Sequence, residues 1–259
     1  MGTFLFHDVV FGPVKSRRLG ISLGINLLPI DSKLCNFNCI YCECGWTISE
    51  KGVKKQFQPR NTVKQLLEQK LIEMSQKGEK PDVITFAGNG EPTLHPDFAG
   101  IIEDTIEVRD KLSPEARIAV LSNATQLHRQ KVIDALQKIE DPILKLDSAF
   151  PSTLMLLNCP NCYFDEKEII NNFRKFKGNF ILQTMFLKGE YKKQIIDNTT
   201  EKEVSAWIEI IKKVKPRKVM IYTIARDTPS SNLQKIEIQT LQKIAERVNG
   251  LGIETSVSG

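Results

Sequence analysis

The chain has 259 residues, of which 41% are hydrophobic and 26% charged, and its net charge of +5 permits an anionic partner without requiring one. This composition is that of an ordinary soluble globular protein, and no apolar run reaches the roughly 18 residues that span a bilayer. Six cysteines are too few for a disulfide framework, and together with the lack of an apolar signal peptide they predict a reducing cytoplasm.

Short β-branched or apolar runs alternate with longer helical patterns along the chain. The predicted strands are Ile21–Leu28, Val83–Ala87, Arg117–Leu121, Ile143–Leu146, Phe180–Phe186, Lys218–Ile224 and a final Ile253–Val257. The predicted helices are Thr62–Gln76, Pro96–Asp110, Arg129–Ile139, Glu166–Phe176, Lys202–Val214 and Glu237–Asn249. A strand–helix order needs crossover connections, which produce a parallel sheet.

Six such units follow one another without a linker-like stretch, so the pattern predicts one domain over residues 1–259 with an N-terminal extension over 1–20. The expected fold is α/β, a partial (β/α)6 barrel of the TIM type or a strongly curved open sheet. A doubly wound open sheet is the rival fold, and periodicity does not separate the two. In such folds functional groups gather at the carboxyl ends of the strands. Polar motifs stand at those ends: Gly88–Pro92, Ser122–Thr125, Asp147–Ser148, Gln183–Thr184, Tyr222–Thr223 and Arg226.

The most informative motif is a C-x3-C-x2-C loop formed by Cys35, Cys39 and Cys42 after the first predicted strand. Thiolates select zinc or iron–sulfur clusters. An iron–sulfur cluster normally takes four cysteines, so a loop with three leaves one iron open to a small molecule. One alternative is a zinc site that pairs Cys39 and Cys42 with the Cys159–Cys162 unit and leaves Cys35 without a metal to bind. The other is that the thiols are inert.

With Tyr41 in the aromatic position, this loop resembles that of the radical SAM superfamily, which reads C-x3-C-x-aromatic-C. The resemblance implies a cluster-binding loop over residues 35–42, in which Cys35, Cys39 and Cys42 hold a [4Fe-4S] cluster. The open iron would bind S-adenosylmethionine (SAM). One electron, from a reductant such as flavodoxin or ferredoxin, would then release a 5′-deoxyadenosyl radical that takes a hydrogen atom from a substrate.

The run Gly88-Asn89-Gly90-Glu91 is similar to the family's glycine-rich "GGE" stretch, with Asn89 inserted. The resemblance implies that its backbone and Glu91 bind the methionine part of SAM. Glycines let a backbone approach a ligand closely. The alternative is a strand-to-helix turn that needs glycine for its own geometry.

Further contacts with SAM or substrate are implied by position in the family's fold. Ser122 and Asn123 stand where the family often contacts ribose, although both residue types also favour turns and helix caps. Tyr41 would pack on the adenine or simply on the protein core. The candidates for a substrate or SAM-carboxylate contact are Asp147, Gln183 and Arg226.

The segment Phe11–Gly20 contains G-P-V-x-S-R-R-L-G and, with the cysteine loop, resembles the wyosine-type tRNA-modification branch of the superfamily. Arg17 and Arg18 would grip an acidic substrate or brace the barrel floor. Wyosine enzymes carry further cysteines upstream, and here none precedes Cys35, so only the architecture and the SAM chemistry carry over. The implied substrate is tRNA, with a peptide or small metabolite as the rival.

Cys44, Cys159 and Cys162 remain and would form an auxiliary metal site, a redox pair or isolated thiols. Lysine clusters, among them Lys51, Lys54 and Lys55, are typical of solvated faces, and no interleaved aromatic platform is visible in the sequence. The rival to an enzyme is therefore a non-catalytic zinc or iron–sulfur module whose basic face binds RNA.

Overall fold

A curved sheet of eight strands forms the framework of the fold in the described part of the chain, residues 4–16, 19–47 and 56–259 of a computed structural model. The strands in chain order are β1 Val10–Ser16, β2 Gly20–Ile25, β3 Val83–Phe86, β4 Arg117–Ser122, β5 Asp141–Lys145, β6 Ile181–Met185, β7 Leu187–Tyr191, β8 Gln194–Asp197, β9 Lys218–Tyr222, β10 Leu233–Lys235 and β11 Glu254–Ser258. The large sheet runs β1-β2-β3-β4-β5-β6-β9-β11, and β10-β7-β8 form a small antiparallel sheet.

The helices cover the outer side of the large sheet. They are α1 Arg60–Gln76, α2 Phe98–Leu112, α3 Gln130–Gln137, α4 Pro151–Asn158, α5 Glu166–Arg174, α6 Glu201–Val214 and α7 Ile238–Asn249, with a 3₁₀ turn at Pro92–Leu94. Their apolar stripes and one face of the strands make the main core, in which Trp207, Phe86 and Phe98 are fully buried. In the described ranges no helix is both long and apolar enough to cross a bilayer.

The inner face of the sheet carries a second, smaller apolar layer. One buried residue from each of five successive strands takes part, together with Leu19: Val83, Ala119, Ile143, Ile181 and Met220. Side chains from the two flanks of a sheet can meet in one layer only if the sheet curls. In the large sheet every pairing from β2 through β3, β4, β5, β6 and β9 to β11 is parallel, and only the edge strand β1 is antiparallel. The predicted α/β partial barrel is confirmed.

Charged side chains brace the amino end of the barrel. Asp141, at the start of β5, is buried and accepts hydrogen bonds from Arg117 at 2.5 Å and Arg217 at 2.6 Å. The two guanidinium groups neutralise a carboxylate that burial would otherwise penalise. The bracing role that the sequence suggested for Arg17 and Arg18 concerns two residues outside the described ranges.

Several elements were not predicted from the sequence. The predicted extension 1–20 contains β1, which pairs with β2 and is only half buried, so it shows little apolar alternation. The β7–β8 hairpin turns on Lys192–Lys193 rather than on the Asn or Gly typical of such turns. Helix α4 is short, begins with Pro151 and ends at Cys159 in the left-handed region.

Candidate functional site

The cysteine loop lies at the carboxyl edge of the half-barrel, where the glycine-rich loop holds one side of it. Leu34 forms an isolated parallel bridge with Gly90: Leu34 N donates to Asn89 O at 2.8 Å, and Glu91 N donates to Leu34 O at 3.1 Å. Gly90 has φ +139°, and a Cβ there would lie 1.9 Å from Leu34 O. Glycine is therefore needed for the two loops to meet.

The segment after α4 holds the other side of the loop. Asn38 N donates to Cys159 O at 3.1 Å and Asn161 N donates to Asn36 O at 3.0 Å, which makes an antiparallel bridge. Ile40 N extends the pairing by donating to Leu157 O at 3.0 Å. The cysteine loop is thus held between two neighbouring chain segments, and its backbone groups are largely satisfied from both sides.

The three thiols of the motif lie within this braced loop. Cys39 is buried, and Cys35 and Cys42 are partly exposed. Phe37 N donates to Cys35 Sγ at 3.3 Å, and the side-chain amide of Asn158 approaches Cys39 Sγ at 3.5 Å. Donors aimed at sulfur favour the thiolate, which is the metal-binding form.

The buried ammonium group of Lys33 interacts electrostatically with all three thiols of the motif. Lys33 is 7% exposed, and its Nζ donates to Gly45 O at 2.8 Å. Burial alone would lower the pKa of Lys33, but the negative charges of Cys42, Cys35 and Cys39 outweigh it and raise that pKa above its ordinary value. Lys33 therefore supplies a fixed positive charge beside the thiol trio.

The thiols differ in how readily they lose a proton. Burial raises the pKa of Cys39 to about 11 and that of Cys35 still further. The Cys44 thiol donates a hydrogen bond to Cys42, which lowers the pKa of Cys42. Because a metal must displace these protons, Lys33 lowers the cost of loading the site.

The arrangement of the three thiols can be compared with what a single zinc ion and an iron–sulfur cluster each require. In the described ranges, no three His, Cys, Asp or Glu side chains converge on the position of a single metal ion. Tetrahedral zinc draws its sulfur ligands to about 2.3 Å from one point, whereas a cluster of several irons carries its ligands on separate corners. Three thiols spread along one loop around a common ammonium fit a cluster of that kind.

The glycine-rich loop is largely committed to the protein itself. The Asn89 side chain binds the backbone of Phe6 through N and O, both at 2.8 Å, and Pro29 O at 2.8 Å. A Cβ on Gly88 would lie 2.4 Å from Asn26 Oδ1. The inserted Asn89 thus anchors the N-terminal segment to the loop.

The carboxylate of Glu91 joins this loop to the end of β4. It is 2% exposed and accepts from Ser122 Oγ at 2.9 Å and Asn123 N at 2.6 Å, as well as from the N and Oγ1 of Thr93. Burial raises the pKa of Glu91, while these donors oppose the rise. The structure therefore brings Glu91 and Ser122 together in a mutual hydrogen-bond network.

Asn123 turns its side chain toward the cysteine loop. Its Nδ2 donates to Asn36 Oδ1 at 2.7 Å and lies 3.7 Å from Cys35 Sγ. Its Oδ1 accepts from the backbone and hydroxyl of Thr125 at 3.1 and 2.7 Å. The end of β4 is thereby connected directly to a thiol of the motif.

Tyr41 and Asp147 meet in a second buried network. The Tyr41 hydroxyl donates to the Asp147 carboxylate, and Lys145 Nζ donates to Tyr41 Oη at 3.0 Å and to Tyr222 Oη at 2.8 Å. Burial would lower the pKa of Lys145, but Asp147 and Tyr222 raise it above its ordinary value. Lys145 and Asp147 are two residues apart along the chain, as expected of side chains on one face of β5 and its extension.

Asn158 couples this network to the cysteine loop. It is 1% exposed, and its Nδ2 lies 2.7 Å from Asp147 Oδ2, 3.1 Å from Tyr41 Oη and 3.5 Å from Cys39 Sγ. Moving or removing Asp147 or Tyr41 would therefore shift the Asn158 amide and alter its contact with the Cys39 sulfur.

The remaining candidates are placed differently. Gln183 lies buried on β6, and its side chain makes no hydrogen bond with any residue in the described ranges. The Arg226 side chain is 60% exposed, donates to Glu43 at 2.6 Å and has its guanidinium 5.8 Å from the Phe4 ring centroid. Arg226 thus braces the N-terminal segment against the cysteine loop at the outside of the site.

The three leftover cysteines are not grouped together. The Cys44 sulfur, whose proton is shared with Cys42, lies 3.5 Å from Gly88 O; Cys159 donates to Leu156 O at 3.3 Å, and Cys162 accepts from Asn36 at 3.5 Å. Each thiol is thus directed to a different neighbour, and in the described ranges the three make no metal-binding group. Pro160, which lies between Cys159 and Cys162, pairs with Phe37 of the cysteine loop.

Sequence reasoning missed four side chains that contact the motif residues: the buried Lys33, Asn36 and Asn158, and the partly buried Lys145. Two of them could have been found from the sequence by their distance from a predicted site residue: Lys33 lies two residues before Cys35, and Lys145 lies two residues before Asp147. Asn36 and Asn158 had none, because their role depends on the pairing of the cysteine loop with the segment after α4.

Comparison with known proteins identifies the family. The sequence profile of the radical SAM superfamily matches residues 30–199. A GTPase Obg of Brachyspira hyodysenteriae is 31% identical over 90% of this chain, which spans only 32% of that protein, about a third of its length. A UPF0026 protein of Synechocystis sp. is 30% identical over 93% of this chain and 92% of its own length.

Solved structures agree on the fold. A radical SAM methyltransferase from Sphaerobacter thermophilus has a TM-score of 0.68 at 12% identity, covering 92% of this chain and 65% of its own. Archaeal TYW1 has a TM-score of 0.53 at 13% identity, covering 88% of this chain and 71% of its own. The family uses a [4Fe-4S] cluster and SAM, and its sequence profile covers well over half of the residues. The chain therefore belongs to the radical SAM superfamily.

Proposed function

We propose that this protein is a radical SAM enzyme in which Cys35, Cys39 and Cys42 hold a [4Fe-4S] cluster. The observation that carries the proposal is the shared environment of the three thiols: one loop, braced on both sides, around the buried ammonium of Lys33. When bound, the cluster supplies the electron that cleaves SAM and begins radical chemistry. The protein residues bind SAM, aim it and keep water away.

The roles proposed for the SAM-binding residues follow from what the structure leaves available. The backbone of Gly88–Glu91 runs beside the cysteine loop, and the carbonyls of Gly88, Asn89 and Glu91 already accept hydrogen bonds from the protein. The Gly90 carbonyl is therefore the one proposed to meet the ammonium group of the methionine part. Ser122, Asn123 and Tyr41 would act by shaping the site, since hydrogen bonds with the protein already engage their side chains. Gln183 is the buried polar candidate whose side chain stays available to a ligand.

Lys145 and Asp147 are proposed to hold the inner wall of the site in one geometry. The raised pKa of Lys145 keeps it charged, so it offers a fixed cation on the interior side of β5. Its side chain is 15% exposed, which leaves a face toward the barrel interior. A carboxylate-bearing ligand is the natural partner for that face.

The substrate is proposed to be tRNA, with a peptide or small metabolite as the rival. The reaction is proposed to take place in the cytoplasm, with flavodoxin or ferredoxin as the reductant. Support for the tRNA proposal is the resemblance of Phe11–Gly20 to the wyosine-type branch. Support for the cytoplasm is the presence of six unpaired cysteines in the structure. Arg17 and Arg18, the residues proposed to meet an acidic substrate, lie outside the described ranges.

Iron and sulfide analysis of anaerobically purified protein tests the cluster proposal. The wild type is expected to contain about four irons and four sulfides per chain, and Cys39→Ala is expected to lose most of both. The double variant Cys159→Ala, Cys162→Ala is the matched control and should keep them. Zinc in place of iron, or iron retained after loss of all three loop cysteines, would contradict the proposal and favour a non-catalytic module.

A further inference from the structure

An aromatic and cationic patch stands beside the cysteine loop. We define the rim patch as Trp46, Tyr191, Lys192 and Lys193. The rings of Trp46 and Tyr191 stack with centroids 6.2 Å apart and an interplanar angle of 27°. Lys192 Nζ lies 5.2 Å from the Tyr191 ring centroid, and Trp46 is 38% exposed. The fold assembles from distant parts of the chain the platform that the sequence alone did not show.

The turn that carries the two lysines is unusual for its sequence. Tyr191 pairs with Gln194, so Lys192 and Lys193 alone connect β7 to β8. Both have positive φ, 50° and 62°, as in a type I′ turn, where Asn and Gly are strongly preferred. Side chains in this region carry a conformational cost, and such residues cluster at functional sites. Two exposed lysines in the least favourable turn positions indicate that their charge has a use.

The rim patch is connected to the proposed cluster site. Tyr191 packs on the same apolar cluster as Cys35 and Cys42 and shares a hydrogen bond with Cys159. Cys159 O in turn accepts from Asn38 within the cysteine loop. Trp46 follows Cys42 by four residues. A ligand on the rim patch would therefore lie beside the loop that binds the proposed cluster.

We propose that the rim patch binds a flexible single-stranded nucleic acid, with one base on the aromatic pair and its phosphates on Lys192 and Lys193, an inference that rests on the radical chemistry proposed above. Base stacking on an indole or phenol ring with nearby cations is the usual chemistry of single-strand binding. Glu43, on the cysteine loop, is paired with Arg226, so its charge is already balanced.

Fluorescence anisotropy with a short labelled single-stranded RNA, and with DNA of the same sequence, tests this assignment on cluster-loaded protein. The variant Lys192→Asn, Lys193→Gly places the preferred residues in the turn, so it should unfold at the same or a higher temperature. We expect it to bind at least about tenfold more weakly, with a salt slope smaller by about 0.7 per lost phosphate contact. Trp46→Leu should weaken binding while leaving the salt slope unchanged.

The charge-matched control is Lys131→Gln, Lys243→Gln, which removes two exposed charges from α3 and α7 and should leave the affinity within about twofold. Equal affinity of the turn variant and the wild type, or no binding of either probe by the wild type, would overturn the assignment. Equal loss with RNA and DNA supports binding through bases and phosphates alone, and loss confined to RNA supports a ribose-dependent substrate.

SAM cleavage driven by dithionite needs neither substrate nor partner protein, so it separates this inference from the function itself. The turn variant should cleave SAM as the wild type does. If it keeps full nucleic-acid affinity but loses cleavage driven by a reduced flavodoxin, the patch docks an acidic electron carrier and the nucleic-acid assignment is wrong. If the wild type binds RNA but does not cleave SAM, the proposed function fails while the binding surface stands.

Discussion

At the scale of single residues, Lys33 is the side chain whose chemistry bears most directly on the proposed cluster. It is buried, and its ammonium interacts with all three thiols of the motif. A fixed positive charge stabilises the more negative, reduced state of a nearby redox group. Lys33 is thus expected to make the proposed cluster easier to reduce.

We predict that Lys33→Gln lowers the midpoint potential of the cluster by on the order of 60 mV, which corresponds to a tenfold change for a one-electron couple. The potential is measured by a redox titration followed by electron paramagnetic resonance. Lys33→Arg keeps the charge and should shift the potential much less. An unchanged potential in Lys33→Gln protein with full iron content would show that the ammonium does not act on the cluster.

Gly90 is the residue that lets the two loops meet. Because a Cβ there would lie 1.9 Å from Leu34 O at φ +139°, Gly90→Ala must separate the loops. We expect a loss of about 3 kcal/mol or more in the free energy of unfolding, together with loss of iron. Urea denaturation and iron analysis measure both effects.

Gly78→Ala is the matched control for Gly90→Ala. Gly78 also has positive φ, at +72°, but a Cβ there meets nothing within 4 Å. Its substitution should cost only the backbone penalty of about 1 to 2 kcal/mol and leave the iron content unchanged. Equal losses of stability and iron in the two variants would mean that the contact with Leu34 is unimportant.

At the scale of elements, the sequence predicted the strands of the parallel part of the large sheet and missed β1, β7, β8 and β10, which pair antiparallel. β3 and β6 are buried throughout, so their β-branched and apolar runs stand out. β7 and β8 alternate between exposed and buried residues over only four or five positions, and their turn lacks glycine. Helix α4 has no periodic apolar stripe long enough to detect.

The 3₁₀ turn Pro92–Leu94 is connected to the chain before α1 through His95. The His95 ring donates from Nε2 to Gln58 O at 2.9 Å and accepts at Nδ1 from Asp97 N at 3.1 Å, which is a neutral tautomer. Burial lowers the pKa of His95, while the Gln58 carbonyl and Asp97 oppose this shift. Protonation of Nδ1 would remove its bond with Asp97.

We predict that this histidine makes stability depend on pH. Since its pKa is lower in the folded protein than its ordinary value near 6.5, the unfolded chain binds the proton first. The free energy of unfolding should therefore be steady above about pH 6.5 and fall below it, by up to about 1.4 kcal/mol per unit difference in pKa. His95→Gln should lack this decline in urea titrations, and parallel curves for the two proteins would contradict the role of His95.

At the scale of the whole molecule, the sequence was enough to place the cysteine loop, the glycine-rich loop and the ends of β4 and β5 on one edge of a curved sheet. Spacing and strand order are local properties, and they suffice for that. The contacts of Asn123 and Asn158 with cysteine sulfurs depend on pairings between segments about 90 to 120 residues apart, which no local pattern encodes. The same applies to the stacking of Trp46 on Tyr191.

SAM cleavage by the chain itself tests the proposed function most directly. Anaerobic, cluster-loaded protein is incubated with SAM and dithionite, and 5′-deoxyadenosine is measured by chromatography. We predict that the wild type and the Cys162→Ala variant form 5′-deoxyadenosine, while the Cys35→Ala, Cys39→Ala and Cys42→Ala variants do not. A wild-type protein with a complete, reducible cluster that forms no 5′-deoxyadenosine would contradict the proposed function.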